Sequence, residues 1–577
     1  MNGRSGLFTF FLFLLLAVIT LLQILSMVQS DRLYERLNQL IDTIKSTKPV
    51  QPTQQKTRSA ELPMEEYRGD EGDWLIFRLA GEPATLNPIT AKDAYAKWIT
   101  VGSIFERLLE YDFDKAELKP WLAESYEVSD DGLQITIRLR DDIYFSDGQP
   151  ITADDVIFTY ETIMNPGVDA DNVRNYYDDV MQALRIDDRV VKFVFNEPYW
   201  KSVEAAGLFE VFPKHIYQFT NPADFNKQRS NPVGSGPYVF EKWNVGREII
   251  LSRNENYWGR KPKLRKIVYR FITNDVAALQ ALRSHEIDMM IPTADLFVET
   301  ATDEQFNKEF RSLAYWNPGI PYFYIAWNQA TPFFKDRCVR LAMTHIVNRD
   351  AIVKHLLKGN AKVITGPFYI NSPQNDPNIE PWPYDLERAR QLLDQAGWRD
   401  TNGDGIRDKD GIPFRFHYSI VSGSVLYERL AKLLKDDAAK AGIEVIVDPV
   451  EWSVFIERQN NRQFEAATAG WGGAVMEDPY QIWHSSQIAG RGSNLVGFSN
   501  PEADAIMEEA RRTLDEEKRI KLYRRFLRIL HEEQPYTFLF TRPTFRFLDR
   551  RFENVKIHKL GLNELEWYVP KEKQRYK

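Results

Sequence analysis

Apolar and polar positions change their period several times along the chain. Leu7–Val28 is an unbroken apolar run of 22 residues, with Thr9, Thr20, Gln23 and Ser26 as its polar members and no charge. At about 1.5 Å of rise per residue it reaches about 33 Å, enough to cross a bilayer core. Asp31–Lys45 then places Leu33, Leu37, Leu40 and Ile44 at helical spacing, which predicts a helical stalk. Ser46–Gly72 holds three prolines, several Gln and Thr, and almost no apolar residues, the composition of a tether. From Trp74 onward, strand and helix periods alternate. Leu133–Leu139 alternates with period two, and Val191–Phe195, Ile249–Leu251, Ile267–Ile272 and Tyr322–Trp327 are further strand candidates. Helices are predicted over Leu386–Ala396, between Asp385 as N-cap and Gly397, and over Asp336–Leu357 with a break near Asn348. A long helical region is predicted over Glu502–Glu533, stopping before Pro535. Alternation of this kind predicts α/β lobes with helices on both sheet faces.

The remaining features narrow the chemistry. With 577 residues, 43% hydrophobic and 27% charged, the chain is globular. Its net charge of −8 and the lack of a dense basic block speak against a nucleic-acid partner. Cys338 is the one cysteine, so no internal disulfide or cysteine-based metal centre is possible. The aromatic share of 13% suits a large core or an aromatic-lined cleft. No phosphate-binding loop, nucleophile elbow or paired-histidine zinc motif occurs. His531-Glu532-Glu533 reads as a solvated helix face. Asp400–Gly405 with Asp408 imitates the start of a calcium loop, but its twelfth position is Gly411, so a surface turn is expected. Asp154-Asp155 after Thr152 reads as a helix N-terminus rather than a pair of catalytic carboxylates. No cofactor, metal site or catalytic residue is indicated.

At the amino end the apolar run is too long for a cleaved signal peptide, and no cysteine lies near it for lipid attachment. An uncleaved signal anchor is expected. The flanking charges, Arg4 before the run and Asp31, Arg32, Glu35 and Arg36 after it, do not decide its orientation.

Six stretches, in order, resemble the extracellular solute-binding protein family 5, the dipeptide- and oligopeptide-binding components of ABC importers. They are Arg78–Pro88 (RLAGEPATLNP), Leu118–Asp130 (LKPWLAESYEVSD), Ile143–Asp155 (IYFSDGQPITADD), Gly234–Gly259 (GSGPYVFEKWNVGREIILSRNENYWG), Phe333–Asp350 (FFKDRCVRLAMTHIVNRD) and Asp385–Trp398 (DLERARQLLDQAGW). The resemblance implies a two-lobed periplasmic-binding-protein fold of class II type with an extra subdomain, preceded by the N-terminal transmembrane helix. Residues 1–30 would be the anchor and 31–73 the stalk and linker. Lobe I would take 74–118, 232–309 and 544–577, the extra subdomain 119–231, and lobe II 310–543. It also implies a peptide held extended between the lobes, ABC permease subunits as partners, and a body outside the cytoplasmic membrane.

The family's ammonium-binding Asp stands in a Trp-x-Ala-Asp-Tyr motif. Here the segment reads Trp471-Gly472-Gly473-Ala474-Val475-Met476-Glu477-Asp478-Pro479, with Ala474 where that Asp is expected. Either Glu477 or Asp478 takes its place, or the ligand has no free amine. The resemblance places Trp471 at the cleft wall and Glu82 and Asn328 at cleft-facing positions, with Tyr95 a candidate in the loop after the first strand; Gly472 and Gly473 either let the backbone approach the ligand closely or make a turn. Asp478 has a second reading, as a cap for the helix that follows. Other uses of the fold stay open: a sensory or scaffolding ectodomain, or a binder of an oligosaccharide, haem or a metal chelate.

Overall fold

The strand Trp74–Leu79 is buried on both faces, and it forms the middle of the first sheet. A computed structural model describes residues 69–576 except 92, 178, 229–230 and 490–491. The expected anchor, the stalk and most of the tether lie outside the described residues. Among the described residues, no helix is long and apolar enough to cross a membrane.

The first sheet has seven strands, in the order Phe310–Tyr315, Thr544–Asp549, Met289–Met290, Trp74–Leu79, Lys266–Phe271, Glu248–Arg253 and Tyr238–Asn244. Trp74–Leu79 runs parallel to its two neighbours, and the remaining pairs are antiparallel. Leu75, Phe77 and Leu79 face one core, while Ile76 faces the other with Val268 and Met290. A central strand covered on both sides needs apolar residues at every position, which removes the period-two signal. Asp73 ties the start of this strand to the C-terminal residues, accepting from the backbone N–H groups of Arg575 and Tyr576. Phe310–Tyr315, which the sequence assigned to lobe II, belongs to this sheet and pairs with Thr544–Asp549. Its residues, Phe-Arg-Ser-Leu-Ala-Tyr, carry no period-two pattern and do not say which sheet the segment joins.

The second sheet has six strands, in the order Lys362–Val363, Tyr536–Thr541, Tyr322–Trp327, Ala466–Trp471, Arg415–Val421 and Glu444–Val450. Tyr322–Trp327 and Tyr536–Thr541 are buried along their whole length. Between them, Tyr324 and Tyr536 stack with ring centres 3.9 Å apart, and Trp327 Nε1 donates to Thr537 Oγ1 at 3.0 Å. The two sheets are joined twice, by residues 316–321 and by Arg542-Pro543. A third, antiparallel sheet, in the order Ala123–Val128, Gln134–Leu139, Val190–Phe195 and Val180–Asp187, carries the helix Ala153–Met164.

Helix ends follow the caps in the sequence. Asp385 accepts from Arg388 N and starts Leu386–Gln395, whose buried stripe is Ala389, Leu392 and Leu393. Asp155 accepts from the Thr152 N–H, so Asp154-Asp155 does open a helix. The expected helix Asp336–Leu357 appears as Arg337–Ile346, capped by Asp336, then a short turn started by Asn348 and a π turn over Ile352–Leu356. The helical region expected over Glu502–Glu533 consists of two helices, Pro501–Arg512 and Glu516–Glu533, because the Asp515 carboxylate accepts from Lys518 N and starts a new helix. His531 is not on a solvated face: it stacks flat on Trp382, ring centres 5.2 Å apart, and burial pushes its pKa down to about 4. In the calcium-like turn, the Asp400 carboxylate accepts from the Gly403 and Gly405 N–H groups, while Asp408 accepts from Thr401.

Candidate functional site

The strand Ala466–Trp471 ends beside the first linker between the sheets, and the residues after it form the candidate site. Trp471 pairs across the sheet with Tyr322, and its indole Nε1 lies 3.5 Å from the Tyr536 hydroxyl. Gly472 is open, with no heavy atom within 4 Å of where a side chain would begin. Gly473 is the opposite case. A Cβ there would stand 2.3 Å from the Pro318 carbonyl oxygen and 2.7 Å from that of Ile320, so glycine lets the loop lie against the linker.

The loop then turns back at Glu477. The buried Gln374 clamps its backbone on both sides, Oε1 accepting from Glu477 N at 2.8 Å and Nε2 donating to Glu477 O at 2.6 Å. This aims the carboxyl inward, where it accepts from the Ala474 backbone amide. Burial raises its pKa to about 7, opposed by Lys201 and reinforced by Asp478 and Glu204. Lys201 itself bridges Glu204 at 2.9 Å. Burial works against the Lys201 charge, but Glu204, Glu477 and Asp478 together outweigh it and hold the ammonium above its usual pKa. The Tyr111 hydroxyl joins this group through Glu204; burial first, then that carboxylate, hold its pKa far above the usual range. One lysine therefore stands among three carboxylates.

Asp478 is engaged elsewhere. It accepts from the Tyr199 hydroxyl at 2.9 Å, lies 3.0 Å from Arg511 Nε, and accepts from Tyr480 N at 3.2 Å. Arg511 in turn meets Asp179 at 2.7 Å and is sandwiched between the rings of Tyr199 and Tyr480. Trp200 extends this contact, its Nε1 donating to the Tyr523 hydroxyl at 2.9 Å. Asp478 thus ties the third sheet's domain to the second, and it caps the following turn as well.

The other expected residues are placed as follows. Glu82, on the loop after the first strand, accepts from Trp243 Nε1 at 2.6 Å and from the Gly246 N–H, bracing the hairpin tip. Tyr95 lies on Gly81, edge-on to Trp98. Asn328 is apart from the cluster. It follows Trp327, at the far end of the strand from Tyr322, about 20 Å away by strand rise. Its amide is fully used by Arg462 O, Phe464 O and Ala330 N. Lys201, Glu204, Tyr111 and Gln374 were not singled out in the sequence. They come from distant segments and carry no local motif.

Residues 117–492 match the family described as bacterial extracellular solute-binding proteins, family 5. The oligopeptide-binding protein AppA of Bacillus subtilis is 32% identical over 519 residues, covering 87% of this chain and 92% of that protein. Its structure in complex with a nonapeptide superposes with a TM-score of 0.77 at 30% identity, over 87% of this chain and 100% of that one. NikZ from Campylobacter jejuni, in complex with Ni(L-His), superposes with a TM-score of 0.75 at 28% identity, over 86% of this chain and 99% of that one. The chain belongs to family 5 of the extracellular solute-binding proteins, and its two-lobed α/β architecture is theirs.

Proposed function

We propose that this family 5 solute-binding protein holds peptides between its lobes and delivers them to the permease subunits of an ABC importer. Its similarity to an oligopeptide-binding protein over nearly the whole of both chains supports the ligand class. The observation that carries the reading is Glu477. Its carboxyl is buried, shares one lysine with two other acids, and hydrogen-bonds the backbone of Ala474, the position where the family's ammonium-binding Asp is expected. A buried carboxyl with a pKa of about 7 is a place where an added cation is favoured, and a peptide's amino end supplies one. Trp471 and the open backbone of Gly472 would lie along the peptide, while Asp478 would hold the closed arrangement.

Calorimetry with a tetrapeptide pool and its N-acetylated counterpart tests this. The free pool should bind wild type at least about tenfold tighter than the acetylated pool, about 1.4 kcal/mol. Glu477→Gln should remove that difference, and Asp478→Ala should leave it in place. Equal binding of both pools to all three proteins would exclude an amine-reading carboxylate.

The location is proposed on the uncharged run Leu7–Val28: a single-pass anchor in the cytoplasmic membrane, with the body outside the cytoplasm. Membranes washed with carbonate should retain the full-length protein, whereas a soluble form beginning near Asp31 would contradict the anchor.

A further inference from the structure

Next to the Glu477 cluster, and sharing Tyr111 with it, lies a cavity of about 470 Å³. It opens between the first sheet, the segment Trp98–Phe113 and the C-terminal residues Leu560–Leu565. Its volume is within the range of small-molecule sites, roughly 300–1,000 Å³. Phe77, Trp98, Trp121, Tyr269 and Leu565 give it apolar and aromatic walls. Five charged side chains reach it as well, and three of them already have polar partners. Glu106 accepts from Trp121 Nε1, Trp258 Nε1 and the Tyr257 hydroxyl at 2.5–2.9 Å. Glu110 bridges Lys119 at 3.0 Å, and Arg107 bridges Glu210 at 2.5 Å.

Glu564 and Arg546 remain. Among the described residues neither forms an ion pair within 4.0 Å, although each lies within the other's field. Arg546 spends one Nη on the Phe545 carbonyl, and its buried Nε has no partner. Glu564 has its own backbone N–H against it, and Arg546 acts on it from farther off. The two line the same cavity without an ion pair between them, one supplying an acceptor and the other a donor. Between these two side chains, a tip of either net charge would satisfy one and leave the other uncompensated.

We propose that this cavity is a subsite for one side chain of the bound ligand, with an apolar stem and an uncharged carboxamide tip, glutamine-like, lying between Glu564 and Arg546. The carboxamide N–H donates to Glu564, and its carbonyl accepts from Arg546. The subsite rests on the peptide reading, since it takes a side chain whose backbone is held at the Glu477 cluster. The cavity exceeds the bulk of one side chain, so water fills the remainder and selection is graded.

The test uses the full-length chain and tetra-alanine, with norleucine, glutamine, lysine or glutamate placed in turn at each position. At one position, glutamine should bind about tenfold tighter than norleucine, with lysine and glutamate both weaker than glutamine. Preference at that position should then follow the charge left behind: Glu564→Gln should move it to glutamate, and Arg546→Gln should move it to lysine. Only ratios within one protein are compared, so a general loss of stability does not mimic the switch. If tetra-alanine and its variants fail to bind at all, the peptide reading falls and the subsite falls with it. If they bind with no position that favours glutamine, or if the preference does not switch, the peptide reading stands and the subsite is overturned.

Discussion

Glu477 and Asp478 are adjacent, chemically alike, and differently surrounded. Asp478 meets a guanidinium and a phenol, and its charge is balanced within the protein. Glu477 has a share of Lys201 and one backbone N–H, and it carries a pKa near neutrality. The sequence showed that Ala474 leaves the expected anchor vacant and offered both residues in its place. Separating them needed Tyr199 and Lys201, which lie more than two hundred positions away, and Arg511, which stands on a later helix; none of them leaves a trace in the local pattern. Asn328 shows the converse. The resemblance put it at the cleft, but its amide is consumed by backbone groups of its own lobe. Gly473 gives a test at this scale. A Cβ at 2.3 Å from the Pro318 carbonyl oxygen has no flexible side chain to displace. Gly473→Ala should therefore cost about 1–3 kcal/mol, the range for forced overpacking, read as a lower urea midpoint. Gly472→Ala meets nothing and should change the midpoint by less than about 0.5 kcal/mol.

Elements were legible where a cap and a period agree. Leu386–Gln395 lies where Asp385, its apolar stripe and Gly397 place it. The helix break at Thr513–Asp515 was not legible, because apolar positions recur at helical spacing on both sides of it. Asp515 is an ordinary helix-surface residue until its carboxylate folds back onto the Lys518 N–H. That break has a structural use. It ends one helix at Arg511-Arg512, so that Arg511 reaches Asp179 and Asp478, and it turns the chain so that Arg519 lies over Trp200. Asp515→Ala should cost about 1 kcal/mol, the typical loss of an N-cap, and urea unfolding measures it. An unchanged midpoint would mean that the cap is not what starts the second helix. The lobe boundary placed at 310 was not legible for the same kind of reason: Phe310–Tyr315 pairs with Thr544–Asp549, more than two hundred residues away.

Across the whole molecule, two short linkers join the large sheets, and the loop carrying Gly473 and Glu477 lies against one of them. The third sheet's domain reaches the second through Tyr199, Trp200 and Arg511, and Arg429 meets Asp295 at 3.2 Å across the two larger units. Opening and closing about the linkers would make and break these contacts together. Their partners are far apart in sequence, so these contacts are visible only in the fold, whereas the two-lobed architecture itself was legible from six ordered motifs. The most direct test of an ammonium seated on Glu477 is the proton count of binding. Burial raises the Glu477 pKa from 4.5 to about 7. The folded state thus holds this proton more tightly than the unfolded chain does, and stability contributed by this group falls as pH rises through about 4.5 to 7. A peptide ammonium favours the carboxylate, so binding at pH 6 should expel the proton. Calorimetry of tetra-alanine at pH 6, in two buffers of different ionisation enthalpy, should show release approaching one proton per peptide in the wild type, lost in Glu477→Gln. Binding without proton release, or release that persists in Glu477→Gln, would contradict an ammonium on this carboxylate.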